Sequence, residues 1–257
     1  MNLFDLKGKV AIVTGAGSGL GKDAALAYAD AGADVALLDI RENSLHNVKE
    51  KINSLGRDAI SIGCDITNEV QVKRAVQTTL DYFGHIDILL NNAGIAIGGG
   101  VENMTEEMWN KSFDVNVKSM FFTCKYVVPH MKQRHYGKII NISSVNAVVA
   151  DKYDSLVRHS YNASKAAVLG LTTGMACSYA QYGITVNAIG PALFKTGMTE
   201  HTLFRSEAFL QSYNHSSPAG RPARQGELNG TILYLSSDAS SYVQGQFIVV
   251  DGGSSLV

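Results

Sequence analysis

The chain has 257 residues, 46% of them apolar and 18% charged, which supports a large buried core and excludes a disordered chain. Lys plus Arg number 22 against 23 Asp plus Glu, a net charge of -1. With no cationic surplus, neither nucleic acid nor an anionic membrane surface is expected as a partner.

Residues 1–10 carry Asp5, Lys7 and Lys9 and lack a signal-peptide apolar run, and no stretch approaches the ~18 apolar residues of a spanning helix. A cytoplasmic protein is expected. The cysteines, Cys64, Cys124 and Cys177, are widely spaced and form no Cys-x-x-Cys. Three buried thiols are expected, with neither a disulfide framework nor a metal site.

In chain order, apolar β-branched runs at 9–14, 34–38, 59–63, 86–91, 138–143, 184–189 and 246–250 alternate with helical patterns near 19–31, 43–54, 69–82, 106–134, 161–181 and 226–236. Nearly continuous apolar runs fit strands buried on both faces. Alternation sustained over seven strands predicts the α/β class: a doubly wound parallel sheet with helices on both faces, as one domain spanning 1–257. The segment 193–217 breaks the pattern and carries Phe194, His201, Phe204, Phe209, Tyr213 and His215. A connection this long in a compact domain suggests a substrate lid. A surface helical hairpin is the plainer alternative.

After the first strand comes Thr14-Gly15-Ala16-Gly17-Ser18-Gly19-Leu20-Gly21, opening a helix. Glycines there let the backbone approach a pyrophosphate, and a helix N-terminus offers free N–H groups and a favourable dipole. Asp39 ends the second strand, 24 positions after Gly15. A carboxylate at that place accepts bonds from ribose hydroxyls and repels a 2′-phosphate, so NAD is expected rather than NADP. Arg41, two positions on, keeps NADP open.

Tyr161-Asn162-Ala163-Ser164-Lys165 opens another helical pattern, with Tyr161 and Lys165 on one face. An ammonium near a phenol favours phenolate, and a tyrosine so tuned exchanges a proton with an alcohol or carbonyl. Ser143 and Ser144 end the fifth strand, where α/β sheets bind ligands.

With these motifs in order, the sequence resembles the short-chain dehydrogenase/reductase family over essentially its whole length. The resemblance is carried by Thr14 to Gly21, Asp65, Asn91-Asn92-Ala93-Gly94, Asn116, Ser143-Ser144 and Tyr161 to Lys165, then by Asn187, Pro191, Thr196 and Asp251-Gly252-Gly253. It implies a Rossmann-type domain assembled as a homotetramer. It assigns Tyr161 as proton donor or acceptor, Lys165 to the nicotinamide ribose and Ser144 to the substrate oxygen. Asn116 would support a water linking Lys165 to solvent. For the cofactor, Gly15, Ser18, Gly19 and Leu20 would hold the pyrophosphate, and Asp65 and Ile66 would border the adenine. Asn92, Ala93 and Gly94 would line the sugar, while Pro191, Phe194 and Thr196 would lie on the nicotinamide side.

Other readings stand beside these. Asn116 alone reads as a solvated helix residue, Asp65 as a helix N-cap, and Tyr153 or His159 as a rival proton carrier. Two departures matter. Ala192 replaces the family's glycine after the sixth strand, which puts the local turn in doubt. Ser144 and Tyr161 lie 17 positions apart, with a polar insertion over 150–160.

The leading expectation is an NAD-dependent oxidoreductase interconverting a secondary alcohol and a ketone on a polyol or sugar-derived substrate. The runner-up is a 3-oxoacyl-thioester (acyl-carrier) reductase; here Tyr136 and Tyr182, with Arg134 and His135 as the only nearby basic groups, stand before Gly137 and Gly183. Phe204, Phe209 and Tyr213 leave a steroid or bulky alcohol open. A catalytically inactive nucleotide sensor would have lost Ser144, Tyr161 or Lys165, and all three are present.

Overall fold

The computed structural model describes residues 3–150, 156–200 and 203–257. Seven parallel strands form one sheet: β1 (Val10–Thr14), β2 (Asp34–Asp39), β3 (Ala59–Gly63), β4 (Ile88–Asn91), β5 (Gly137–Ile142), β6 (Ile184–Pro191) and β7 (Phe247–Val250). Each expected strand is present, its ends within two positions of the sequence reading. The spatial order is β3-β2-β1-β4-β5-β6-β7. Connections run outward in one direction from β1 and then in the other from β4. That reversal opens a crevice at the carboxyl ends of β1 and β4.

Successive strand residues point to opposite faces, and each face is apolar. On one face Val13, Leu37, Leu90 and Ile140 pack with Ala24, Tyr28, Ile52 and Ile232 from α1 (Gly19–Asp30), α2 (His46–Ser54) and α8 (Asn229–Ser236). On the other, Ile12, Leu38, Leu89 and Val186 pack with Val72, Val127 and Met175 from α3 (Glu69–Phe83), α5 (Ser119–Arg134) and α6 (His159–Tyr179). Truncating one of these buried aliphatic side chains to alanine costs about 2–5 kcal/mol.

Local chemistry sets the helix ends. Asn68 caps α3 by accepting from the Gln71 amide at 3.2 Å, and Gly84 ends that helix in the left-handed region at φ +79°. Asp65 is therefore not the cap. Its carboxylate instead accepts from the Thr67 amide and hydroxyl, at 2.9 and 2.7 Å.

The stretch read as one helix over 106–134 is in fact interrupted. It consists of α4 (Glu106–Phe113), a π-helical turn (Asp114–Lys118) and α5. No glycine or proline marks the break in the sequence; the wide turn seats Asn116 inward, at 0% exposure. The pattern beginning at 43 opens as a 3₁₀ turn, Glu42–Leu45, before α2.

Cys177 corrects the expectation of three buried thiols. The α6 register turns Val168, Thr172, Met175 and Ala176 inward and leaves Cys177 exposed, whereas Cys64 and Cys124 are buried. Within 193–217 the chain forms a 3₁₀ turn, Leu203–Arg205, and α7 (Glu207–Ser216), capped by Ser206, which accepts from the Phe209 amide.

Candidate active site

The crevice holds a cavity of about 800 Å³ whose floor is the loop joining β1 to α1. Gly15 and Gly19 take φ values of +67° and +53°, which a side chain disfavours. At Gly21 a Cβ would lie 2.3 Å from the Gly15 carbonyl oxygen and 2.4 Å from Asn92 Nδ2, so the helix seats against the loop only as glycine. Ser18, at the N-cap of α1, makes no side-chain capping bond, which leaves the first helical N–H groups for a ligand. The loop is clamped from β4. The Thr14 hydroxyl accepts from the Asn92 and Ala93 amides at 2.9 and 3.1 Å, and Asn92 Nδ2 donates to the Thr14 carbonyl at 2.9 Å.

One end of the cavity lies over β2 and β3. There Asp39, 7% exposed, accepts from the Gly17 amide at 3.1 Å and the Arg41 amide at 2.9 Å. Both bonds aim its carboxylate at the rim, with the Arg41 guanidinium 3.9 Å away and its side chain mostly exposed. Asp65 and Ile66 line the same end, and Asn92, Ala93 and Gly94 line the middle.

The opposite end is built from β4, β5, β6 and α6. The two serines after β5 divide their work. The Ser143 hydroxyl donates to the Lys165 carbonyl at 2.8 Å and ties the strand to α6, whereas the Ser144 hydroxyl accepts from the Asn146 amide at 3.1 Å. Tyr161 and Lys165 follow on α6, with the Lys165 Nζ 5.8 Å from the centre of the Tyr161 ring. Lys165 is 3% exposed and donates to the Ile142 carbonyl at 2.9 Å. Burial pushes its ammonium down to about 8.

Of the site residues expected from sequence, all but Asn116 line this one cavity. Asn116 stands behind it. Its Oδ1 accepts from the Ile95 amide at 2.9 Å, and its Nδ2 donates to the Ile95 carbonyl and the Ser164 hydroxyl at 2.9 and 3.0 Å. Ser164 in turn donates to the Tyr161 carbonyl at 2.8 Å. Asn116 is thus no solvated helix residue; it joins the loop after β4 to the first turn of α6.

Pro191, Phe194 and Thr196 line the far wall beside α7. Thr196 packs onto the loop: a Cβ on Gly19 would lie 3.2 Å from its own Cβ. Ala192 also lines the cavity, and its amide donates to the Val250 carbonyl at 3.2 Å. Among the described residues His135 is the only non-glycine with positive φ, so the turn at Ala192 does not need glycine. The rival carriers fare differently. His159 is exposed, and its Nδ1 accepts from the Val101 amide at 3.1 Å; Tyr153 lies outside the described residues.

Tyr136 and Tyr182 do not flank the cavity. They sit where β5 and β6 begin, at the amino ends of the strands, opposite the crevice. Lys9 and Lys132 lie over their rings at 3.6 and 4.6 Å, so Arg134 and His135 are not the only basic groups beside them. Residues of the site passed over by sequence reasoning include Asn162, whose Nδ2 donates to the Asn146 and Val149 carbonyls at 3.1 and 3.2 Å and holds that loop to α6. Arg158 and Lys111 also line the cavity. Position was the available signal: Arg158 stands three residues before Tyr161.

A glycine-floored crevice at the carboxyl ends of this strand order defines a Rossmann-type α/β protein. Residues 15–255 match the family model described as Enoyl-(Acyl carrier protein) reductase. A gluconate 5-dehydrogenase from Gluconobacter oxydans is 37% identical over 252 residues, covering 98% of this chain and 96% of that protein. A 3-oxoacyl-(acyl-carrier-protein) reductase from Thermotoga maritima is 37% identical over 248 residues, covering 96% and 98%. The crystal structure of a gluconate 5-dehydrogenase from Burkholderia cenocepacia in complex with NADP and tartrate superposes with a TM-score of 0.94 at 34% identity, covering 100% of this chain and 98% of that one. The chain belongs to the short-chain dehydrogenase/reductase family of oxidoreductases, which act on CH–OH groups. No helix among the described residues is long and apolar enough to cross a membrane.

Proposed function

We propose that this protein is an NAD-dependent oxidoreductase that interconverts a secondary alcohol and a ketone on a polyol or sugar-derived substrate. The observation that carries this reading is the convergence of Ser144, Tyr161 and Lys165 on one end of a cavity whose other end presents Asp39. The cradle fits a dinucleotide. Gly15, Ser18, Gly19 and Leu20 would hold the pyrophosphate, and Asp39, Asp65 and Ile66 the adenosine. Asn92, Ala93 and Gly94 would line the sugar, and Pro191, Phe194 and Thr196 the nicotinamide. When bound, the nicotinamide supplies the hydride acceptor or donor.

The chain's own residues then handle the oxygen and the proton. Ser144 donates to the substrate oxygen and orients the carbinol carbon. In oxidation Tyr161, as phenolate, accepts the hydroxyl proton at Oη; in reduction it returns that proton to the carbonyl oxygen. The buried Lys165 ammonium favours the phenolate. Asn116 keeps the loop after β4 and the start of α6 in register, and a water on its side of the site would connect Lys165 to solvent. The 193–217 segment covers the substrate as a lid; its Met198, Leu203, Phe209 and Tyr213 line the cavity.

NAD is favoured over NADP because Asp39 is held by two backbone amides at the rim, where a 2′-phosphate would meet its charge. The Burkholderia relative was crystallised with NADP, so a direct comparison of the two cofactors is the decisive measurement. The relatives named for gluconate support a sugar-derived alcohol. The one named for 3-oxoacyl carriers supports the thioester reading, whereas Phe209 and Tyr213 in the cavity wall, without Phe204, bear on the bulky-alcohol reading.

The test is a nicotinamide absorbance screen against polyols, sugar acids, 3-oxoacyl thioesters and steroids. Turnover of sugar-derived alcohols supports the proposal; turnover of thioesters alone replaces it with the second reading. A homotetramer is also proposed, since α6 exposes a strip of small residues, Ala166, Gly170, Thr173 and Gly174, that suits close approach of another helix. A monomeric mass by light scattering would exclude it.

A further inference from the structure

An oxidoreductase of this kind needs Ser144 and Tyr161 to meet at one substrate oxygen, yet they stand 17 positions apart, on different elements. A connection of that length does not fix one residue against the other, so contacts across it must. Two ties to α6 bracket Ser144. On the strand side, the Ser143 hydroxyl donates to the Lys165 carbonyl at 2.8 Å. On the far side, Asn162, the residue after Tyr161, donates from Nδ2 to the Asn146 and Val149 carbonyls at 3.1 and 3.2 Å.

The segment that Asn162 holds is a short helical turn opened by Ser144 itself. The Ser144 hydroxyl accepts from the Asn146 amide at 3.1 Å, and the Ser144 carbonyl accepts from the Ala147 amide at 3.0 Å. The Val145 carbonyl accepts from the Val148 and Val149 amides, both at 3.0 Å. The last carbonyls of such a turn find no amide within it. The Asn162 carboxamide reaches across from α6 and donates to them. Where the Ser144 hydroxyl points depends on Asn146, through the amide bond and through a 3.4 Å contact with Asn146 Oδ1. Shifting the turn therefore re-aims the hydroxyl. Val145 and Val149 line the cavity and shift with it, whereas Asn162 does not line the cavity and acts only through the turn.

We propose that Asn162 is a positioning residue for the reaction: its carboxamide clamps the 144–149 turn to α6 and so fixes the Ser144 hydroxyl against the Tyr161 phenol. Tyr161 moves the proton, and the next residue in the chain sets where the substrate oxygen is held. This inference rests on the alcohol–ketone oxidoreductase reading and adds to it the part that keeps the two oxygen-binding groups in register.

The test uses the full-length enzyme with Asn162→Leu, which keeps the bulk and removes the donor, and with Asn162→Ala in case the larger side chain does not fold. On the substrate the wild type turns over best, kcat/KM falls about 10- to 100-fold, the range for a small misplacement of an orienting group. NAD affinity by titration stays at the wild-type value, because the glycine loop and Asp39 lie on other elements. Asn162→Gln keeps an amide donor on a longer arm and recovers part of the loss. The decisive measurement is a double-mutant cycle. In a Ser144→Ala background the Asn162 substitution costs little more, since the hydroxyl it aims is already gone. Hydrogen exchange supplies a readout independent of turnover: the amides of Asn146 to Val149 exchange faster in the variant, and those of the glycine loop do not. Melting temperatures close to wild type show that the fold survives.

Full additivity in the cycle overturns the proposal, because a residue that merely braces α6 costs the same with or without the Ser144 hydroxyl. Wild-type kcat/KM in Asn162→Leu also overturns it and leaves the oxidoreductase reading intact, as does unchanged exchange in the turn. A wild-type enzyme that turns over no alcohol or ketone overturns the oxidoreductase reading and the positioning role together. The exchange data then decide separately whether Asn162 clamps the turn.

Discussion

Replacing Lys165 by methionine keeps most of the side chain's length and removes a charge from a site that is 3% exposed. In the folded protein burial holds this ammonium down, from 10.5 to about 8. That drop corresponds to about 3 kcal/mol of unfavourable free energy for keeping the charge inside the fold. Below pH 8 the lysine is protonated both folded and unfolded, and the full cost weighs on the native state. As pH rises from 8 towards 10.5 the folded lysine releases its proton first, the unfolded chain holds more protons, and stability from this residue increases. Roughly 2 kcal/mol of the cost is relieved between about pH 7.5 and 10.

The methionine variant lacks this dependence. The difference in stability between wild type and Lys165→Met should therefore shift by roughly 2 kcal/mol in favour of wild type over that interval, or about 4–8 °C in Tm for a chain of this size. Taking the difference cancels the titrating groups that lie away from Lys165, which both proteins share. The measurement is a pair of thermal or urea melts of the cofactor-free proteins, followed by circular dichroism at both pH values. Parallel pH profiles would refute the argument, as would a shift of opposite sign. The same variant should lose both NAD affinity and turnover. Here a functional residue is kept at a cost to stability.

Tyr161→Phe keeps the buried ring and removes only the hydroxyl, so fold and NAD affinity should survive while turnover drops by at least ~100-fold; wild-type rates in this variant would sink the proton-carrier assignment. Asp39→Ala combined with Ile40→Arg should move the preference from NAD towards NADP. Because Asp39 also accepts from the Gly17 amide, NAD affinity should fall at the same time; cofactor titrations that show an unchanged NADP/NAD ratio contradict this. A thiol reagent should modify Cys177 rapidly in the native protein and spare the other two. Burial pushes the Cys64 thiol up to about 11 and the Cys124 thiol up to about 12; a count of more than one fast thiol contradicts the exposure seen here.

Much of this protein was legible before any coordinates. The parallel sheet was legible because strands buried on both faces must be apolar throughout, a pattern that stands out against amphipathic helices. The glycine loop, Asp39 and the Tyr161–Lys165 pair were legible because their chemistry is local: a turn, a strand end and one helical face. What the sequence alone left open depended on contacts between distant segments. The π-helical turn at Asp114–Lys118 exists where Asn116 meets Ile95 and Ser164, and no residue within 106–134 announces it. The roles of Ser143 and Ser144 separated only once α6 lay against β5, so that one hydroxyl reached the Lys165 carbonyl. Burial of all three thiols was expected from cysteine usage alone, and only the docking of α6 against the sheet decided that Cys177 lies on the outer face. Arg158 belongs to the same group. Its place beside Tyr161 depends on the backbone pairing with Gly99, 59 positions earlier, a contact that tertiary packing makes and linear spacing does not reveal.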